Sequence, residues 1–335
     1  MVEEELRKRA TEKSEKKKDA PEMKKKKKKR KPLVYRGPET WVVMLWMAVI
    51  GGAYWFAVNV YFKEIRILAS VQDDVDKFEE VKCSPEHAEK PQVPRCTPTK
   101  CGRLVLDGLL APREIEVLKR MAIEGTGALG GGAGGASILE LSSSTVSSGE
   151  KFQSLFQLRE ASVKNDNNDN FRIMVERLYS KDNLGVYYSA KTKVATAIET
   201  AFGLEDDVLS LAAPTFFSQL SREPAKTKND EYWHSHIDSK QYPSFDYTAL
   251  VYLNDYEEDF TGGRFFFETS SIAGTEEEAA VEPKAGRVSA FTSGAENPHR
   301  VEKVASSRRL AFTMGFTCNP EFAIADPALP PLPDQ

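Results

Sequence analysis

Hydrophobic positions follow three different rules along the chain. From Trp41 to Phe62 they are continuous, with no charge and only Asn59 strongly polar. Between Leu109 and Phe202 they recur at helical spacing: Ile115, Val117, Leu118 and Met121 after Pro112, then Phe171 to Tyr179, then Tyr187 to Phe202. Beyond Leu209 they gather in short runs rich in Val, Phe, Tyr and Thr, broken by Gly, Pro, Asn and Asp. Those runs predict strands at Pro214 to Leu220, Tyr232 to Asp238, Thr248 to Leu253, Gly263 to Phe267, Arg287 to Phe291 and Arg309 to Thr317. Short strands without long helices between them indicate an antiparallel sandwich or jelly roll. The expected fold class is α+β, a double-stranded β-helix (jelly roll) with flanking helices, preceded by one transmembrane helix.

The first apolar stretch would span roughly 30 Å as a helix at about 1.5 Å per residue, one bilayer crossing. Trp41, Tyr54, Trp55 and Tyr61 suit the interfacial belt, and Lys24 to Lys31 beside it suits the positive-inside rule. A cleaved signal peptide would be shorter and closer to the start, and a soluble helix of this length would show a polar stripe. The reading is a signal anchor over 41–62 in a type II topology, with the lipid bilayer as a partner through those residues. The organisation expected is a basic cytosolic tail at 1–40, the anchor, a proline-bearing stem at 63–100, a helical support region at 101–206, the catalytic domain at 207–318 and a loose tail at 319–335.

The net charge of −4 hides an asymmetry: residues 1–40 carry 16 basic and 8 acidic side chains, of 46 and 50 in the whole chain. A tail of +8 precedes a body of −12. Such a tail could sit on nucleic acid, but the apolar stretch after it favours anionic lipid, and no nucleic-acid partner is expected. Cys83, Cys96, Cys101 and Cys318 can form two disulfides in any of three pairings, which suits an oxidising lumen of the endoplasmic reticulum or Golgi. The glycines at 125, 127 and 130 mimic a dinucleotide fingerprint. A helix precedes them where a strand is needed, so they read as a loop.

Four histidines are present: His87, His234, His236 and His299. On a strand His236 and Asp238 share a face, and His299 can join them from a neighbouring strand. Two imidazoles and a carboxylate on one face of an octahedron leave positions open on a non-haem Fe(II) for a keto acid and dioxygen. Ten residues after His299, Arg309 heads a strand that places Arg309, Ala311, Thr313 and Gly315 on one face, with a guanidinium fork suited to a carboxylate. Rival readings are weaker. His234-x-His236-x-Asp238 begins a metallo-hydrolase pattern, but Ser239 and the histidine count do not complete it. A mononuclear zinc hydrolase gives Arg309 no role. A non-catalytic scaffold on the same fold has no need of the complete set. His234 is assigned a structural or supporting role.

The stretches HIDSKQYPSFDYTALVYLNDYEEDFTGGRFFF and EPKAGRVSAFTSGAENPHRVEKVASSRRLAF resemble the prolyl 4-hydroxylase-like branch of the 2-oxoglutarate/Fe(II) dioxygenases. The segment GGGAGGASILEL, with the anchor, resembles a narrower membrane-bound group within it. The resemblance implies iron held by His236, Asp238 and His299, and Arg309 on the C5 carboxylate of 2-oxoglutarate with help from Tyr252. It also implies O2 as oxidant, L-ascorbate as the agent that rescues oxidised iron, and hydroxylation of a protein side chain with release of succinate and CO2. Arg308 rivals Arg309, and register favours Arg309. Asp238 excludes the halogenase variation, which needs a small residue there. Gly315 departs from the Trp of many prolyl hydroxylases, so prolyl specificity is not implied.

Overall fold

The computed structural model describes residues 39–56, 65–90, 92–128, 135–148, 151–164, 169–275 and 277–329. The chain forms two units, Met1–Lys63 and Glu64–Gln335. In the first, the described helix is Thr40–Phe56, 17 residues with none buried. The anchor expected over 41–62 contains this helix, while residues 57–62 lie outside the described residues; the seventeen described ones, at about 1.5 Å each, reach roughly 26 Å. Among the described residues no helix is long and apolar enough to cross a membrane. The basic run also lies outside the described residues.

Among the described residues fifteen strands build the second unit: β1 (Arg66–Ala69), β2 (Asp76–Val81), β3 (Cys101–Leu106), β4 (Ala136–Glu140), β5 (Thr145–Ser148), β6 (Lys151–Ser154), β7 (Ser210–Ser221), β8 (Tyr247–Tyr252), β9 (Thr261–Gly262), β10 (Phe265–Phe267), β11 (Ala279–Val281), β12 (Val288–Thr292), β13 (His299–Val301), β14 (Val304–Ser306) and β15 (Arg308–Thr317). The large sheet runs β2-β3-β12-β8-β15-β7-β4-β5-β6, a smaller one β1-β11-β10-β13, and β14 pairs with β9. Nearly all pairings are antiparallel, as the jelly-roll reading requires, and β1 joins β11 in parallel.

Alternation along the central strands creates two cores. Tyr247, Ala249 and Val251 of β8, with Leu310, Phe312, Met314 and Phe316 of β15, face the helices. Leu250 and Tyr252 face the smaller sheet, with Phe265, Phe267 and Phe291. On the helical side Phe217 stacks on Phe312 at 4.4 Å and Tyr187 lies 5.1 Å from the same ring. Each fully buried ring or aliphatic chain of this kind contributes about 1.5–3 kcal/mol.

The helices start and stop on local chemistry. Lys181–Phe202 begins six residues earlier than periodicity predicts, because the Ser180 hydroxyl accepts from the Asn183 amide, and it ends on the left-handed Gly203. Pro112–Gly127 runs two residues past Gly125, which was expected to open the loop. A Cβ at Gly125 would stand 2.1 Å from Leu139 Cδ2, so glycine there lets the helix seat on β4. Residues 129–134 of that loop lie outside the described residues.

Glu114 fastens this helix. It accepts from the Ala111 amide at 2.8 Å, from Lys193 Nζ at 2.6 Å and from Ser189 Oγ at 2.6 Å. Burial alone would raise its carboxyl, but these donors outweigh it and hold it at about 2, against an ordinary 4.5. A depressed carboxyl stabilises the fold above its unfolded value and loses that effect as pH falls through the folded one. Glu114→Gln is therefore expected to lower the urea midpoint at pH 7. The gap from wild type should shrink as pH falls from 4.5 toward 2.

Three boundaries differ from expectation. The stem at 63–100 is not a spacer: β1 and β2 are strands of the two sheets, and disulfides Cys83–Cys101 and Cys96–Cys318 tie it to the body. The region 101–206 supplies four strands besides its helices, and Leu155–Lys164 is a helix that the apolar pattern did not reveal. The tail also packs down: Ile324 donates its amide to Leu211 O, and Ile324 and Leu329 join the helix-facing core. Residues 330–335 lie outside the described residues.

Candidate active site

His236, Asp238 and His299 meet inside the barrel, with one ligating atom from each lying within 4.8 Å of the others. Nε2 of each histidine stands 3.5 Å from Asp238 Oδ1. The backbone route differs from the expected strand over 232–238. Only His236 bridges, exchanging amide hydrogen bonds with His299 at 2.9 and 3.0 Å. Ile237 is extended, and Asp238 opens a single turn, Asp238–Gln241. The convergence of His236 and Asp238 thus comes from one extended residue followed by a turn, since the segment lacks neighbours for a longer ladder.

Each ligand is held from behind. The Nδ1 atoms of His236 and His299 lie 3.0 Å from the carbonyls of His234 and Asn297, which fixes the tautomer and aims both Nε2 atoms inward. Thr248 Oγ1 donates to Asp238 Oδ2 at 2.7 Å and lies 2.8 Å from Ser293 Oγ. Phe265 stacks on His299 with centroids 5.0 Å apart. Burial works against the Asp238 carboxylate, but His299, His236 and the Thr248 hydroxyl outweigh it and hold the group below its ordinary value. Burial and neighbouring His299 push His236 below its own. An ionised carboxylate and an imidazole biased to neutrality are the forms a divalent metal needs.

The triad opens into a cavity of about 480 Å³ that also contains Arg309, Thr313, Leu250 and Tyr242. Arg309 is 1% exposed, and its Nε and Nη2 have no hydrogen-bond partner. Burial pushes the guanidinium below its ordinary value. Tyr252 lies beside it, ring centroid 5.2 Å from Cζ, with an equally unpartnered hydroxyl. Arg308 points to the exposed side, so the register argument selected the arginine that faces the cavity. An uncompensated buried cation is costly, and a carboxylate between Arg309 and Tyr252 would relieve it. The donor set at the triad fits Fe(II), and these orphaned donors fit the distal carboxylate of 2-oxoglutarate.

His234 sits at the mouth, 66% exposed on its side chain and paired with Glu231, in a supporting position. His87 is buried 2.9 Å from Glu296, in a second cluster whose Cys101 is already bonded to Cys83. Thr248, Ser293 and Asn297 were not anticipated. Thr248 alone was within reach of pattern, since it alternates with Leu250 and Tyr252 on β8.

Gly315 has a steric reason. A Cβ there would lie 2.0 Å from Phe245 Cζ, so the Phe245 ring occupies the space into which a side chain at 315 would project. Gly315→Ala should lower stability by about 1–3 kcal/mol through overpacking. The melting temperature should fall by roughly 2–4 °C per kcal/mol. Phe245→Ala in the same chain should recover part of the loss, seen as non-additivity in a double-mutant cycle.

Residues 222–316 match the 2OG-Fe(II) oxygenase superfamily. The chain is 39% identical over 305 residues to 2-oxoglutarate and iron-dependent oxygenase domain-containing protein 3 of Xenopus tropicalis, covering 88% of this chain and 90% of that one. It is 30% identical over 149 residues to prolyl 3-hydroxylase 1 of Gallus gallus, covering 40% and 20%. Among solved structures, a viral collagen prolyl hydroxylase of Paramecium bursaria Chlorella virus-1 in complex with 2-oxoglutarate matches with a TM-score of 0.38 at 16% identity, covering 64% and 94%. The triad, the orphaned guanidinium and a similarity spanning most of the chain agree. This chain belongs to the 2-oxoglutarate- and Fe(II)-dependent dioxygenases, in the family of 2-oxoglutarate and iron-dependent oxygenase domain-containing protein 3.

Proposed function

We propose that this dioxygenase hydroxylates a protein side chain from a lumenal, membrane-anchored position. The observation that carries the catalytic part is the buried, unpartnered Arg309 guanidinium in the same cavity as the triad. When bound, Fe(II) with 2-oxoglutarate supplies the reductive activation of O2 that oxidises a C–H bond and yields succinate and CO2. The chain's own part is geometric. His236, Asp238 and His299 hold the metal from one side, while Arg309 and Tyr252 fix the far end of the co-substrate. Phe265 and Leu250 wall the site with apolar surface, which limits water around the reacting atoms.

A protein substrate is supported by the resemblance to prolyl hydroxylases and by the name of prolyl 3-hydroxylase 1, whose similarity spans 149 residues of this chain. Full-length protein with Fe(II), 2-oxoglutarate, ascorbate and a proteome-derived peptide library should release succinate and add one oxygen atom to a subset of peptides. Succinate release without any oxidised peptide would sink the protein-substrate reading. No succinate above background would sink the dioxygenase activity.

The anchored, type II placement is supported by the charge-free stretch 41–62, the lysine run before it and two disulfides after it. Intact microsomes should shield residues 65–329 from added protease until detergent is present. Digestion without detergent would overturn this topology.

A further inference from the structure

The turn that carries Asp238 has no strand ladder to fix it, and residues 83–90, between β2 and β3, supply polar contacts in place of one. Glu86 opens the single helical turn Glu86–Glu89 and reaches both stretches that bear metal ligands. Its Oε1 accepts from the Ala295 amide at 2.6 Å and from Ser239 Oγ at 3.3 Å, and its Oε2 pairs with Lys240 Nζ at 2.7 Å. Ser239 and Lys240 directly follow Asp238, and Ala295 lies on the short loop that leads to His299. Beside it the fully buried Glu296 accepts from the Ser84 amide at 3.1 Å and lies 2.9 Å from His87 Nε2. The next residue, Asn297, is the one whose carbonyl holds His299.

A covalent tether holds one end of this segment. Cys83 is bonded to Cys101 at the start of β3, while at the other end Lys90 donates to Phe245 O and pairs with Asp246. The two buried residues between them, Ser84 and His87, are polar, so no apolar packing would replace a lost tether, and such segments open at low cost. Cys83 is half-buried, whereas Cys96, Cys101 and Cys318 are buried. A thiolate therefore meets the Cys83 sulfur before the other three, and accessible disulfides are the labile ones. A dithiol attacking Cys83 displaces Cys101 as a thiolate that takes up a proton. Its second thiol then closes its own disulfide and releases Cys83, so the protein gains two electrons and two protons.

We propose that residues 83–90 form a redox-held clasp, in which Glu86 positions the Asp238 turn against the loop leading to His299, and that reduction of Cys83–Cys101 slackens it and weakens metal binding. This rests on the reading of the triad as a metal site. Glu86 touches neither metal nor substrate and is a positioning residue. It acts through the placement of Asp238 and His299, and ligand groups must be held within about 0.5 Å of the productive geometry.

The test is calorimetric titration of the full chain with Mn(II) alone, first oxidised and then reduced by a dithiol that is removed before the metal is added. Alkylation and mass spectrometry identify the form in which Cys83 and Cys101 are free while Cys96 and Cys318 stay paired. In the oxidised chain Glu86→Ala should weaken Mn(II) by about tenfold. Glu86→Gln, which keeps the Oε1 acceptor for Ala295 and Ser239, should restore most of that affinity. Reduction should weaken wild type by a similar factor but Glu86→Ala by no more than about twofold, because the clasp is already open there. Amide exchange in β8 and β15 should stay the same in all these forms, which separates a slack clasp from a loosened fold. Equal affinity in oxidised wild type and Glu86→Ala overturns the proposal. So does a reduction effect that is absent from wild type, that is as large in Glu86→Ala as in wild type, or that comes with lost protection in β8 and β15. A wild type that binds no Mn(II) in either redox form sinks the metal-site reading itself, a result distinct from these.

Discussion

Replacing Asp238 by alanine is expected to reduce 2-oxoglutarate turnover to succinate by a hundredfold or more while leaving the fold intact. Loss of groups that merely orient a ligand typically costs 10–100-fold in metal affinity or activity, and Asp238 is the only carboxylate of the three ligands. The fold should survive because the partner left behind is not stranded: the Thr248 hydroxyl retains Ser293 Oγ at 2.8 Å. Circular dichroism and the melting temperature without metal should therefore stay close to wild type, while Fe(II) should no longer raise that temperature. Thr248→Val should give a graded version of the same result, with iron affinity lower by about 10–100-fold. Turnover in Asp238→Ala equal to wild type would remove the triad from the mechanism.

The parts of this site that the sequence revealed are those set by strand period. Alternation in β15 sorted Arg309, Ala311, Thr313 and Gly315 to the inner face and Leu310, Phe312, Met314 and Phe316 to the helical core, and the structure has that arrangement. Convergence of His236 with Asp238 was also anticipated, though by the wrong route, because strand and extended-residue-then-turn both place residues i and i+2 on one side. Long-range pairings were not legible. β1 and β2 consist of short, charged segments, RILA and DKFEEV, whose strand character comes from the partners they meet at β11 and β3. Tertiary context sets strand preference at a sheet edge more than intrinsic propensity does. The support behind the triad was hidden for a similar reason. Asn297 offers its carbonyl to His299 while its side chain accepts from Arg103 and donates to Thr292, partners that only the folded chain brings together.

Arg309→Met is the second variant with a large expected effect, and it moves stability and function in opposite directions. In the ligand-free protein the guanidinium is buried with Nε and Nη2 unpartnered, so an apolar chain of similar volume should raise the melting temperature. The same change removes the charged fork that receives the distal carboxylate. Hydrogen bonds to charged groups contribute about 1.5–3 kcal/mol, so the KM for 2-oxoglutarate should rise roughly 10–100-fold. Ligand-induced stabilisation should diverge as well. Wild type holding metal should gain about 2.7 kcal/mol when 2-oxoglutarate is present at a hundred times its Kd, and Arg309→Met should gain almost nothing at that concentration. Arg308→Met, on the exposed side of the strand, should match wild type in both measurements. Two curves of melting temperature against 2-oxoglutarate that start in one order and cross with rising ligand would show that the cation is kept for binding at the expense of the apo fold. Parallel curves would mean that Arg309 meets no carboxylate, and would leave the unpaired guanidinium without a function.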